Sequence, residues 1–391
     1  MINIQYKKIY DKFIEKYKEI HVDPWHEINE KQLNKIYEKL VGSMDVCDDY
    51  TFKYFMDFIL KRLNGKSDDH TKFSISSTIP MNYRIFNDEV IITYPSAFKD
   101  SKLVSINGIS IKDIMNEMDN ILTYGTEGRK KYMTEMALSN KYILFGLPYF
   151  RNSDKLTFEI ETKTDDRIQR TIEKNIDEEE LYPNIDNDNA TYKFIDNCLI
   201  YTHSSVQSSF KEKIETAISK LEKEDLSQID TIIVDIRGNT GGDSGLNEKL
   251  MSFLKEQSNK KILCLTDYRV FSSGSIALYD LIKLGAETIG DEIGTPINHF
   301  GNNNWINIEN YRFSISGCYF NPIVNYGARS KKEFMETKSN EILTPYIFKP
   351  DVYVIQSEKD YIEGVDTVLD YALKYSKENN IISSLWYCVN F

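Results

Sequence analysis

Three serines, Ser272, Ser273 and Ser275, crowd around Gly274 at a point where a strand pattern gives way to a helix pattern. A serine hydroxyl becomes a nucleophile when a base takes its proton, and the tetrahedral intermediate it forms needs two donors on the new oxyanion. Gly274 N–H at a helix start is one such donor. An N–H from Gly241 or Gly242, in the turn Arg237-Gly238-Asn239-Thr240-Gly241-Gly242, is a second, because glycine lets a backbone approach a substrate closely. The base must come from five histidines, His21, His26, His70, His203 and His299, since imidazole titrates near neutrality, at about 6.5. These residue types support acyl transfer through a serine. The same serines also suit a structural duty as helix N-caps. His21 and His26 flank Asp23-Pro24-Trp25 like a metal pair, but no third ligand accompanies them at a usable spacing.

The elements around the serines follow from apolar spacing. Ile232-Ile233-Val234-Asp235-Ile236 is a short apolar run ending in the glycine turn, which reads as a buried strand. A helix over 246–257 follows, then a strand over 261–266. After the serine cluster, Ile276, Leu278, Leu281, Ile282 and Leu284 keep helical spacing up to Gly285. Both turns thus sit where a strand's carboxyl end meets a helix amino end, with unpaired N–H groups and the positive end of the helix dipole.

The chain of 391 residues is long enough for two or three domains. With 41% hydrophobic and 28% charged residues it has the composition of an ordered globular protein. Its net charge of −12 argues against nonspecific nucleic-acid or anionic-membrane binding, both of which need a basic face. Five scattered cysteines, Cys47, Cys198, Cys264, Cys318 and Cys388, show no metal-ligand spacing and fit reduced thiols. The first residues lead into charged helical sequence without a signal-peptide core, and no run of roughly 18 apolar residues occurs, so a cytoplasmic protein without membrane insertion is expected.

In chain order, helices are expected within 1–66, with Asp49 as N-cap of the third and Asn64-Gly65 as its stop. From 73 to 174 the pattern turns to strands with one or two helices, including a strand at 89–94, the hairpin signal Ile106-Asn107-Gly108-Ile109 followed by a helix over 113–121, and alternating Leu156 to Thr162, with which 167–172 can pair. Residues 175–190 are acidic and polar and make a linker. Core strands at 192–194 and 198–203 precede a helix over 210–222. Beyond Gly301, strands are expected at 305–308, 311–315 and 319–320, then a closing strand near Pro350-Asp351 and a last helix.

Arg237-x-Asn239-x-Gly241-Gly242, the serine cluster opening a helix, Ile289-Gly290-Asp291 and the Pro350-Asp351 ending together resemble the tail-specific (C-terminal-processing) serine peptidases and their tricorn-core relatives. The resemblance spans nearly the whole chain and implies an α/β (α+β multidomain) fold: a helical cap at 1–72, a PDZ-like β-rich module at 73–174, the linker at 175–190, and a crotonase-like α/β core at 191–391. By position, Ser273 matches the family's nucleophile. Ser67-Asp68-Asp69-His70-Thr71 resembles the family's Gly-Asp-Gly-His-Thr segment, which implies His70 as general base. Asn298 falls where processing peptidases place a catalytic lysine, and no lysine occurs between Lys283 and Lys331. The implied mechanism is therefore histidine-dependent, with His299 beside Asn298 as the second candidate base.

Two functional classes stay open. One is a serine peptidase acting on peptides or unstructured protein tails without metal or organic cofactor; the other is an inactive relative that binds extended peptides. Nothing in the composition decides the oligomeric state.

Overall fold

The computed structural model describes residues 1–175 and 189–377, so most of the acidic stretch at 175–190 and Cys388 lie outside the described residues. The class is mixed α/β with several sheets. The chain divides into two compact units: Met1–Asn184 with Asn298–Pro345, and Ile185–Ile297 with Tyr346–Phe391. Among the described residues no helix is long and apolar enough to cross a membrane.

The first unit begins with helices Ile4–Ile20, Glu30–Ser43 and Asp49–Asn64. The third starts one residue earlier than expected. Asp48, not Asp49, is its N-cap, accepting from Thr51 N–H while Thr51 Oγ1 accepts from Asp48 N–H in a reciprocal capping box. Asp49 lies inside the helix and accepts from Tyr6 Oη at 2.8 Å instead. The helix stops at Gly65, whose φ of 55° only glycine adopts freely. Phe13, Phe52, Phe55, Phe73 and Phe313 fill the core beneath these helices, with Phe13 stacked on Phe313 at 4.9 Å.

A five-strand antiparallel path in this unit runs Asn82–Phe86, Glu89–Tyr94, Lys102–Ile106, Lys155–Glu161 and Arg167–Glu173. The Asn107-Gly108 turn takes φ 50° and 77° and closes the Ile106↔Ile109 pair. Leu156, Phe158 and Ile160 are all fully buried, as period-two alternation requires. A further sheet joins His299–Ile308 and Tyr311–Asn321 to Lys72–Ser74 and Tyr326–Ala328. The three short strands expected beyond Gly301 are thus one long hairpin. Polar Asn302, Asn303 and Asn304 interrupt the apolar pattern, but the ladder resumes in the same register at Asn303↔Ser316.

The second unit is built on a six-stranded sheet. Cys198–Thr202, Thr231–Asp235, Lys261–Thr266, Glu287–Gly290 and Val352–Tyr353 run parallel. Ile232, Ile233 and Val234 are fully buried, which explains their unbroken apolar run. Thr191–Ile195 is an antiparallel edge strand rather than a core strand, and Phe194 stands 43% exposed on it. Lys211–Leu221, Glu248–Glu256 and Ser273–Lys283 are the helices between these strands.

Candidate active site

The sequence-predicted residues divide between the units: Ser273, Gly274, Gly241 and Gly242 in the second, His70, His299 and Asn298 in the first. In the second unit the strand Thr231–Asp235 delivers the glycine turn. Asp235 accepts from Arg237 N, Nε and Nη2 at 3.1, 2.9 and 2.6 Å. Arg237 also makes two 2.7 Å bonds to the Asp366 carboxylate. Burial opposes the charges, but this double fork raises the guanidinium pKa further and holds the Asp366 carboxyl below its ordinary value.

The turn and the helix start interlock. A Cβ on Gly241 would stand 2.8 Å from Ser272 Cβ, one on Gly242 2.3 Å from Val206 O, and one on Gly274 2.4 Å from Asn239 O. Gly241 and Gly242 also take φ of 93° and 139°. Ser272 sits at φ 53° and ψ −125°, a conformation costing about 1–3 kcal/mol for a residue with a side chain. That sharp bend makes Ser273 the first residue of Ser273–Lys283, 7% exposed.

None of the serine hydroxyls caps this helix in the usual way. Ser272 makes no side-chain cap bond, Ser275 Oγ donates to Ser272 O at 2.7 Å, and Ser273 Oγ donates to Gly242 O at 2.7 Å. Two of the predicted oxyanion donors are engaged locally: Gly274 N–H bonds Phe271 O in the bend at the helix start, and Gly241 N–H bonds Asn239 Oδ1 within the glycine turn at 3.0 Å.

His203 has a part that its isolated place in the sequence did not signal. Asn239 Nδ2 donates to His203 O at 2.8 Å. His203 Nε2 meets Asn247 Oδ1 at 2.9 Å, and Asn247 Nδ2 reaches Ser273 O at 3.3 Å. Because the Asn247 amide nitrogen is turned to Ser273, its oxygen must accept from His203 Nε2–H. Burial lowers the His203 pKa, so a neutral ring braces the glycine turn and the start of the serine helix.

In the first unit His70 and His299 are both buried and their rings stack, 5.4 Å between centroids. One strand holds both. Tyr311–Asn321 pairs with Lys72–Ser74 just after His70 and with His299–Ile308 on its other side. Ser314 Oγ donates to His70 O. Burial first, then His299, Lys72 and Arg129, push the His70 pKa well below the ordinary histidine value, with Asp68 opposing them.

Asp69 turns away from its neighbour. Its Oδ2 lies 3.6 Å from Arg129 Nε and accepts from Gly125 N–H at 3.3 Å. Asn298 is buried, and its Nδ2 donates to Tyr319 Oη, Ile342 O and Thr344 O at 2.9, 3.1 and 2.8 Å. Those bonds tie Asn298 to segment 342–344 as a brace, and its amide offers no basic nitrogen. Among the described residues no group of three His, Cys, Asp or Glu could hold a metal ion. His21 faces Asp68 and His26 faces two carbonyl oxygens, all within the first unit.

No family model matches the sequence, and no curated protein matches it. Solved structures do. A structure of mature CPAF complexed with lactacystin aligns over 96% of this chain and 98% of its own, at 10% identity and a TM-score of 0.60. The fold is similar to that of mature CPAF. A second structure of mature CPAF covers 90% and 93% at 10% identity, with a TM-score of 0.59. The photosystem II D1 C-terminal processing protease aligns over 94% of this chain and 96% of its own at 10% identity, with a TM-score of 0.42.

Proposed function

We propose that the chain is a serine peptidase hydrolysing peptide bonds in peptides or unstructured protein tails, of the tail-specific type that uses histidine rather than lysine. Ser273 Oγ attacks the scissile carbonyl carbon while His70 accepts its proton. The oxyanion is met by Gly274 N–H and an N–H from Gly241 or Gly242. The intermediate collapses to an acyl-serine as the leaving amine takes the proton from the histidine, and water then reverses the sequence to release the acid. His299 is the second candidate base, and Asn298 holds the segment beside it. In this reading the antiparallel sheet within 82–173 is the PDZ-like module and the parallel-sheet unit the crotonase-like core.

The observation that carries the proposal is Ser273 itself. It follows a strained Ser272, starts a helix it does not cap, and aims its hydroxyl into the glycine turn. A serine kept only for capping needs none of this. A second reading, an inactive relative that binds extended peptides, is favoured by the Ser273 hydroxyl and two oxyanion donors being occupied by acceptors in the glycine turn and at the helix start.

A fluorophosphonate probe separates the two, because labelling needs an activated serine together with an oxyanion site. The expected result is labelling that maps to Ser273 and disappears in Ser273→Ala, with parallel loss of hydrolysis of an unstructured peptide. A folded wild-type chain that resists the probe and cleaves nothing would favour the binding reading. Lactacystin, which a structure of mature CPAF holds, is a second probe.

A further inference from the structure

Bonded to the His70 backbone is a buried carboxylate to which the proposed mechanism assigns no step. Asp68 is fully buried and accepts four hydrogen bonds. His70 N–H and Thr71 N–H reach Oδ1 at 3.0 Å each, Ser316 Oγ reaches the same oxygen at 2.6 Å, and His21 Nε2 reaches Oδ2 at 3.0 Å. His21 Nδ1 accepts from Asp23 N–H at 3.0 Å, so the ring's proton is on Nε2 and points at Asp68. His21 is therefore a neutral donor, and burial lowers its pKa accordingly. The cluster is not an ion pair. It is one buried negative charge satisfied by four neutral donors.

We propose that Asp68, oriented by His21, is the positioning residue for His70, fixing its backbone and supplying the buried negative charge that acts on its ring. The inference rests on the reading of His70 as the base. The peptide is gripped from both ends: Asp68 takes the His70 N–H, and Ser314 Oγ donates to the His70 carbonyl. The charged and titratable groups acting on the ring are His299, stacked on it, then Lys72, Arg129 and Asp68. Of these, Asp68 favours the protonated ring while the others oppose it. Asp69 is engaged by Arg129. Burial works against the Asp68 charge, yet the bonds from His21, Ser316 and Thr71 outweigh it and hold the carboxyl well below the usual range. The charge thus persists throughout the range where a histidine titrates.

The test is Asp68→Asn in the full chain, with the His70 ring titrated by NMR on labelled histidine and peptide hydrolysis followed from pH 4 to 9. Loss of the charge should move the His70 titration, and the acid limb of kcat/KM with it, to lower pH. It should also cut kcat on the order of 10- to 100-fold with little change in KM, the scale of a base held slightly out of place. A folded Asp68→Asn with an unmoved His70 titration would overturn the inference. So would wild-type kcat and pH limb in Asp68→Asn while His70→Ala is inactive. If His70→Ala keeps full activity, the reading of His70 as base fails, and the NMR titration in Asp68→Asn still decides whether Asp68 governs the ring. Should Asp68→Asn not fold, Ser316→Ala, which strips the shortest bond from Asp68, is expected to lower kcat several-fold at constant KM. An unchanged kcat in that variant would overturn the proposal.

Discussion

The rings of His70 and His299 lie parallel, 5.4 Å between centroids with only 5° between their planes. Two buried, stacked imidazoles resist carrying two positive charges, and His299 is one of the groups that keep His70 neutral. The base of the proposed mechanism must be neutral, so this pairing would keep His70 competent below the pH at which a free histidine would be lost.

Activity should therefore persist below pH 6.5, the ordinary histidine value of about 6.5, and fall only as pH drops through the lowered His70 pKa. His299→Ala removes one of the groups that depress it and should move the acid limb to higher pH. His70→Ala should lose activity by a factor on the order of 10² to 10⁴. The reverse pattern, with His299→Ala nearly inactive and His70→Ala nearly normal, would transfer the base to His299.

Gly274→Ala should be among the most destabilising single-methyl changes, by about 3 kcal/mol, because its Cβ would meet Asn239 O at 2.4 Å. Gly108→Ala is the matched control. No atom lies within 4 Å of its Cβ, so only the strain of φ 77° remains, costing about 1 kcal/mol. Urea unfolding of both variants checks the difference; equal losses would show that the turn and helix start do not interlock as described.

Arg237→Lys keeps the charge but cannot form two forks at once. Losing the paired bonds to Asp235 and Asp366 should lower unfolding free energy by about 2 kcal/mol. Fluorophosphonate labelling of Ser273 should slow in the same variant, because the glycine turn hangs from Arg237. A variant as stable and as reactive as the parent would remove the double fork from the account.

Stability itself should fall between pH 7.5 and 5.5. His21, His70 and His203 are buried with lowered pKa values. Below about 6.5 the unfolded chain therefore binds protons that the folded chain does not, and unfolding free energy decreases as pH falls. Asp68 acts at a different pH. Its depressed pKa contributes stability above the ordinary carboxylate value of about 3.9, lost only as pH falls below it. Thermal melts across this range should show the first decline, and His203→Gln should make it shallower. A flat profile from pH 7.5 to 5.5 would contradict the neutral burial of the three rings.

Much of this protein is written in neighbouring residues. The buried strand before the glycine turn, the alternation of Leu156, Phe158 and Ile160, the Asn107-Gly108 hairpin and the stop at Gly65 follow from period and from backbone angles that few residues tolerate, both of them local properties. Even so, the choice of Asp48 over Asp49 as cap needed the reciprocal bond to Thr51. What only the tertiary structure decided is pairing across long stretches of chain. Asp68 bonds Ser316 and His21, Tyr311–Asn321 takes Lys72–Ser74 as a partner strand, residues 298–345 join the amino-terminal unit, and His203 reaches Ser273 through Asn247. No periodicity marks such partners. Each depends on which groups the packed core brings within hydrogen-bond reach, a property of the whole unit rather than of any window of sequence.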